Sequence, residues 1–383
     1  MMLKPNLFSK LLKSNFSERD LFPLHEPIFS GNEIKYVNKA IESTFVSSVG
    51  GYIVDLEEKI SSYTKNKYSV ASVNGTAALH TCLILAGVKQ GEEVLTQALS
   101  FVATSNAISY IGAKPIYIDV EIDTMGMCPR ALEDFLDENT IQREEGTFNK
   151  KTGKKISACV PMHTFGFMSK IDQIKKICNK WGINLVEDAA EAFGSKYKGV
   201  SAGKFGLLSA YSFNGNKIIT SGGGGCIVTQ NKNLYNKARH LTTTAKVSSN
   251  YEYIHDQVGY NYRMPNINAA LALAQLENLS KKINEKKKLY NFYKNNLPSI
   301  GLKLKKEPID TEWNYWLMCI ELQNKKDRDL FLKETNKNKI LTRPIWKLLF
   351  KLSMYKNCQR DSQKNAIYLE KRIVNIPSNI CYG

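Results

Sequence analysis

The 383-residue chain has no apolar run approaching the ~20 residues that a membrane-spanning helix requires. Its longest apolar stretches, such as Leu83–Ala86 within a helical pattern, have the size of core segments. The opening segment MMLKPNLFSKLLKSNF carries lysines but no sustained apolar stretch and no small-residue cleavage site. Both features argue against a secretory signal, and a cytoplasmic location is expected. Among the eight cysteines (Cys82, Cys128, Cys159, Cys178, Cys226, Cys319, Cys358, Cys381) no two form a CxxC pair, and no histidine stands at ligand spacing. No zinc or other metal site is expected, and the cysteines read as reduced thiols, several of them in apolar segments. The sequence also lacks internal repeats and low-complexity tracts.

What is present is positive charge. There are 53 Lys and Arg against 36 Asp and Glu, a net charge of +17. No zinc finger or RNA-binding aromatic signature accompanies it, and the lysines are scattered over helical patterns with polar neighbours. A solvated basic surface accounts for most of the excess, and an anionic substrate would account for a smaller, local part. Neither nucleic acid nor membrane is an expected partner.

From residue 67 onward, short runs rich in Val, Ile and Leu alternate with helical patterns. YSVASV, EEVLTQAL, KPIYIDV, ISACVPM and INLVEDAA read as strands. GTAALHTCLILAGV, FVATSNAISYIG, ALEDFLDEN and SKIDQIKKICNKWG read as the helices between them. This alternation predicts an α/β protein with a mostly parallel sheet covered on both faces. GLLSAYSF and GGCIVTQ follow as two more strands. The polar segment Arg143–Lys155 reads as an exposed loop or hairpin. After about Pro265 comes one long helical pattern, NINAALALAQLENLSKKINEKKKLYNFYKNNL, and then strand-like LKLKKEP, YWLMCIEL and ILTRPIW. The expected organisation is an arm over residues 1–30, a large α/β domain over 31–264, and the long helix with a small α+β domain over 265–383.

Five local features carry chemistry. Asn74-Gly75-Thr76 lies between a strand and a helix, where backbone N–H groups can approach an anion; alone it reads first as an ordinary turn with an N-cap. Phe101 follows the next strand, at the sheet edge where ligands of open α/β folds bind, although most such residues are core. Asp188 and Glu191 end an apolar strand, where carboxylates are costly unless paired. The competing role for Asp188 is a helix cap. Ser212-Phe213-Asn214-Gly215-Asn216-Lys217 precedes Gly222-Gly223-Gly224-Gly225, and a lysine between a strand and a tetraglycine turn is a candidate nucleophilic amine. Gly259–Asn266, with Asn261, Tyr262 and Arg263, forms a polar stop before the long helix.

The ordered set NGTAAL, SFVATSNA, VEDAAEAFGS, SFNGNKIITSGGGG and GYNYRMPNINAAL resembles the DegT/DnrJ/StrS family of sugar aminotransferases, from about Pro23 to the carboxyl terminus. PLHEPIFSGNE, TFVSSVG, ACVPMHTFGF, HLTTTAK and LTRPIW are most similar to the members of legionaminic-acid-type nonulosonate pathways. The resemblance implies the fold type I (aspartate-aminotransferase-like) architecture and a pyridoxal 5'-phosphate cofactor. It implies that Lys217 holds the cofactor as a Schiff base and, once released, moves the proton between carbons. It implies that Asp188 pairs with the pyridine nitrogen. Glu191 stands where the family carries Gln, His or Glu near the phenolic oxygen, and Phe101 stacks on the ring. Gly75 and Thr76 backbone groups and the Ser212 hydroxyl bind the phosphate, joined by Asn261 of a neighbouring subunit in a homodimer. His163, Tyr262, Arg263 and Arg343 are candidate substrate contacts, each with a structural role as the alternative. The implied reaction is transfer of an amino group from L-glutamate to a nucleotide-linked 4-keto-6-deoxy sugar, specifically a UDP-2-acetamido-4-keto-2,6-dideoxyhexose. Three rival readings stand beside it. Sugar dehydratases of this fold carry histidine in place of the lysine. A nucleic-acid-binding regulator would need no such lysine. An inactive relative would not keep every chemistry-bearing position.

Overall fold

The computed structural model describes residues 4–16 and 19–379. Helix α1 (Lys4–Asn15) leads through an extended segment to α2 (Glu33–Glu42) and α3 (Gly51–Thr64). Strands and helices then alternate: β1 (Tyr68–Ser72), α4 (Gly75–Leu85), β2 (Glu93–Gln97), α5 (Val102–Tyr110), β3 (Lys114–Ile118) and α6 (Pro129–Asn139). A hairpin of β4 (Thr140–Arg143) and β5 (Gly146–Asn149) precedes β6 (Ile156–Val160), α7 (Ile171–Lys180) and β7 (Asn184–Asp188). After the ribbon β8 (Lys196–Tyr197) and β9 (Val200–Ser201) come β10 (Leu208–Ser212), β11 (Gly225–Thr229) and α8 (Lys232–Thr242).

These elements build a seven-stranded sheet in the order β1-β11-β10-β7-β6-β2-β3, in which β11 alone runs antiparallel to its neighbours. The α/β class and the mostly parallel sheet agree with the alternation read from sequence. Successive strand residues serve opposite faces, as the two-residue period of a strand demands. Val186 and Ile227 pack with Ala78, Leu79 and Ala107 on one side; Leu185, Cys226 and Val228 join the larger core on the other. Burial on both faces explains why the strands read as continuous apolar runs. The cysteines are free thiols among the described residues, with Cys82, Cys159, Cys178, Cys226 and Cys319 buried; Cys381 lies outside those residues.

Beyond the sheet, β12 (Lys246–Val247) and β13 (Ile254–His255) form a small hairpin. The single long helix expected after Pro265 is two helices, α9 (Asn266–Glu277) and α10 (Leu279–Asn296), meeting at Asn278. The helical pattern runs on through the junction because Leu273 and Leu276 before it and Leu279 and Leu289 after it are buried in the same core. A four-stranded antiparallel sheet follows, built from β14 (Lys303–Leu304), β16 (Cys319–Glu321), β17 (Arg343–Pro344) and β18 (Ile373–Asn375), with α11 (Lys325–Lys337) and α12 (Lys364–Glu370). The two-residue strand β15 (Thr311–Glu312) instead pairs with β8. Helix α1 lies on this part of the chain: Phe8 stacks near Phe331 of α11 at 5.4 Å and near Tyr293 of α10 at 6.3 Å. The Arg143–Lys155 segment is anchored rather than loose. Asn149 Nδ2 donates to Glu93 Oε2 at 2.7 Å and to Gln359 Oε1 at 2.8 Å.

Candidate active site

A cavity of about 540 Å³ opens at the carboxyl edge of the seven-stranded sheet. Chain order alone would scatter its lining, but the parallel strands deliver their ends to one place. Asn74, Gly75 and Thr76 follow β1, Phe101 follows β2, Asp188 ends β7, and Ser212 ends β10. Lys217 lies on the loop that leaves β10, and Arg343 comes from β17 of the small sheet.

The start of α4 is a prepared anion site. The Asn74 side chain accepts from Ala77 N at 2.7 Å, so it caps the helix and leaves the N–H groups of Gly75 and Thr76 without intrahelical partners. Close approach explains two of the glycines. A Cβ on Gly75 would stand 2.8 Å from Ser212 Cβ, and one on Gly225 would stand 2.6 Å from the carbonyl carbon of Asn74. Gly225 is in register with both Ser72 and Ser212, so it wedges β11 between the two strand ends that build the anion site. Gly75→Ala should therefore separate α4 from Ser212 and weaken binding of the phosphorylated cofactor that the sequence resemblance implies by about tenfold or more while the fold survives. Equilibrium dialysis of the reconstituted apoprotein checks this, and unchanged affinity would remove Gly75 from the phosphate site.

Deeper in the cavity stand two buried carboxyl groups. Asp188 Oδ2 accepts from Thr104 Oγ1 at 2.7 Å, and Oδ1 accepts from Ala190 N at 3.2 Å. Burial pushes its carboxyl above the ordinary range, against the pull of the Thr104 hydrogen bond and of the Lys217 charge. A desolvated carboxylate facing a cavity is a ready partner for a cation. Glu191 is pushed up to about 7, chiefly by burial, while Lys217 and the Phe165 N–H act in the opposite direction. Lys217 Nζ lies 3.2 Å from Glu191 Oε1 and 4.0 Å from the centre of the Trp316 ring. A second set of bonds holds this wall. Asn314 Nδ2 donates to the carbonyls of Glu191 and Phe193 at 2.8 and 3.0 Å, and Trp316 Nε1 donates to Asn216 O at 2.7 Å.

A lysine amine, a helix start with N–H groups lacking intrahelical partners and two buried carboxyl groups therefore share one cavity. The chain belongs to the DegT/DnrJ/EryC1/StrS aminotransferase family, whose model matches residues 27–380. It is 35% identical over 358 residues to the GDP-perosamine synthase of Escherichia coli O157:H7, covering 93% of each chain. It is 34% identical over 364 residues to the GDP-perosamine synthase of Vibrio cholerae, covering 94% of each. Among solved structures it resembles the PLP form of the putative sugar aminotransferase Spr1654 from Streptococcus pneumoniae, with a TM-score of 0.83, 23% identity and 94% of each chain covered. The fold is that of the pyridoxal-phosphate-dependent aminotransferases, fold type I, and pyridoxal phosphate is the cofactor.

The residues present fit that group. The α4 cup and Ser212 offer donors for its phosphate, the buried Asp188 offers a negative charge for its ring nitrogen, and the Phe101 ring is half exposed at the cavity wall. Of the residues singled out from sequence, Gly75, Thr76, Phe101, Asp188, Glu191, Ser212, Lys217 and Arg343 all border the one cavity. His163 does not, and the expectation of substrate contact is corrected. It is fully buried, its Nε2 lies 3.1 Å from Glu187 Oε2, and its Nδ1 accepts from Ser169 N at 3.2 Å. Glu187, also fully buried, accepts from Gly203, Phe205 and Gly206 N–H groups and from Ser209 Oγ, so the pair braces the strand end that carries Asp188. Tyr262 contacts His80 through its hydroxyl at 3.2 Å, and Arg263 reaches Ser48 O at 3.4 Å. Neither borders the cavity of its own chain, and neither does Asn261, which is exposed. Sequence reasoning missed Thr104, Asn314 and Trp316. Thr104 stands within the SFVATSNA motif, one turn after Phe101, and the polar Asn314 breaks an aromatic run, WNYW, which is the one signal that marked it.

Proposed function

We propose that the protein transfers an amino group from L-glutamate to the keto carbon of a nucleotide-linked 4-keto-6-deoxy sugar. The sugar in this reading is a UDP-2-acetamido-4-keto-2,6-dideoxyhexose, and the product is a 4-amino sugar for a legionaminic-type nonulosonic acid or another surface glycan. The observation that carries the reading is the meeting of Lys217, Asp188 and Glu191 in one cavity with the free helix start of α4. When bound, the cofactor supplies a carbonyl to carry the amino group and a ring to withdraw electrons. Lys217 supplies the amine that binds it and then moves the proton at the reacting carbon. Asp188, oriented by Thr104, keeps the ring nitrogen protonated. Glu191 stands beside the amine and shares its proton. Arg343 at the cavity wall offers a positive charge to an anionic substrate.

The names of the curated relatives support a second reading for the nucleotide, GDP in place of UDP. Incubation with glutamate and a panel of UDP- and GDP-linked 4-keto-6-deoxy sugars decides between them, with 2-oxoglutarate release measured and product stereochemistry read by NMR. Turnover of the UDP-linked 2-acetamido sugar is expected. Turnover of GDP-linked sugars alone would replace the nucleotide assignment, and turnover of neither would overturn the substrate class.

The same reading makes the active unit a homodimer with shared sites. Asn261 is exposed and lies away from its own chain's cavity, while Phe29, Ile34, Ile41, Phe45, Val49, Tyr253 and Val258 leave apolar surface uncovered. An amide from the partner would satisfy a phosphate oxygen without adding charge. Lys217→Ala and Asn261→Ala, each impaired alone, should complement when subunits are exchanged. A mixed dimer then has one site with both defects and one with neither, so random exchange restores about one quarter of wild-type activity. Absence of recovery after verified exchange would mean that Asn261 serves no partner site.

A further inference from the structure

Behind the active-site lysine lies a second cavity, of about 220 Å³, walled by the segment before α2, by Lys217 and Ile218, and by α9 and α10. One charge in its wall, Lys282, has no ion-pair partner among the described residues. The two acids in the wall are committed elsewhere: Glu26 pairs with Arg19 at 2.6 Å and Glu285 with Lys288 at 2.8 Å. Lys282 Nζ donates only to neutral oxygens, Ile28 O at 3.1 Å and Gln275 Oε1, and among the described residues no carboxylate lies within ion-pair distance of it. Lys286 Nζ donates to the carbonyls of Ser378 and Trp316 at 2.5 and 3.3 Å.

His25 adds a separate observation. Both of its ring nitrogens are sealed from solvent, and neither has a hydrogen-bond partner among the described residues. Leaving such a group unpaired costs on the order of 1–3 kcal/mol, so native structures rarely keep one without a purpose. The terminal torsion of histidine is broad, so a small turn of the ring presents an N–H to the cavity it lines.

We propose that this second cavity binds a small oxyanion, a carboxylate or inorganic phosphate, held by Lys282 and His25 with Lys286 behind them. The volume admits a ligand of a few non-hydrogen atoms rather than a nucleotide. The anion would answer both anomalies together, giving the uncompensated ammonium a counter-charge and the bare imidazole an acceptor. The electrostatics point the same way. Burial pulls Lys282 down to about 8, with Glu33 opposing, and burial also lowers His25, helped by Lys286, Lys282 and Lys217. Facing Lys282 are Glu33 on α2, His25 and Glu26 on the segment before it, and Lys281, Glu285 and Lys286 on its own helix. His25 is thus neutral around pH 7, and Lys282 is the group whose proton the anion needs.

Calorimetric titration of the cofactor-loaded protein with sodium glutarate, and separately with inorganic phosphate, tests this. One anion per chain is expected at pH 7. Lys282→Gln and His25→Phe should each weaken it by about tenfold or more. Glutarate stays doubly ionised above pH 7, so its affinity should fall by up to about tenfold per pH unit above pH 8, as Lys282 loses its proton. Binding of glutarate alone identifies a carboxylate ligand, binding of phosphate alone identifies free phosphate, and binding of both identifies a general oxyanion site. Absence of binding to the wild type, or equal binding by wild type and both variants, overturns the proposal. Lys282→Gln changes a partly exposed side chain at the cavity wall, so the test survives if His25→Phe misfolds.

Discussion

Lys217→Ala should lower transamination by at least about 10³-fold, because the amine serves both as the covalent anchor of the cofactor and as the mover of the proton. The cofactor should remain bound without a covalent link, since the α4 cup, Ser212 and Asp188 are untouched. Borohydride treatment followed by mass spectrometry should then find an adduct on the wild type and none on the variant. Lys217→Arg separates the amine from its charge. A guanidinium can keep an ion pair with Glu191, 3.2 Å from the native amine, and a cation over Trp316. It cannot form the imine, so it should be as inactive as the alanine variant. Turnover near wild type in either purified variant would sink the assignment of Lys217.

Asp188→Asn should lower the rate by about 10²–10³-fold, the range seen when one preorganised electrostatic contact is lost. The fold should not suffer. The amide oxygen can still accept from Ala190 N, and the Thr104 hydroxyl can turn to accept from the amide nitrogen, as it already shares a 2.8 Å hydrogen bond with Ser100. Stability supplies the control. A carboxyl group whose folded-state pKa is raised favours the folded state at low pH and loses that contribution as pH rises through the raised value. Asp188 is raised, so in the cofactor-free protein its ionised form costs stability that a neutral amide does not. The apo variant should melt at the wild-type temperature or above while the loaded enzyme is nearly inactive. A lower apo melting temperature with most of the rate kept would make Asp188 a structural cap.

The order of strands and helices was legible because each strand of the large sheet is buried on both faces and each crossover helix carries its own apolar pattern. The short motifs at strand ends were legible for a related reason. Small, polar or acidic residues that interrupt an apolar run, as in NGT, VEDAAE and SFNGNK, mark where a strand leaves the core. His163 was misread because its motif sits at the end of β6 like the others. Whether such a side chain turns into the cavity or under the sheet depends on Glu187, on the neighbouring strand. The break at Asn278 was hidden because Leu276 and Leu279, on either side of it, are buried in the same core.

The sequence by itself determined the class of fold, and it singled out the lysine, the acids and the small residues that are proposed to do the chemistry. These follow from local patterns, because burial period and residue chemistry are written along the chain. Only the tertiary structure decided which of them meet. The sheet runs β1-β11-β10-β7-β6-β2-β3, an order that no local pattern encodes, and it brings Gly75, Asp188 and Ser212 to one edge. It also set the surroundings of Lys282, whose amine meets Ile28 O and Gln275 Oε1 and, among the described residues, no carboxylate at ion-pair distance. Charge counted along the chain says nothing about such surroundings, since they depend on distances of a few ångströms between residues as far apart in sequence as Ile28 and Lys282.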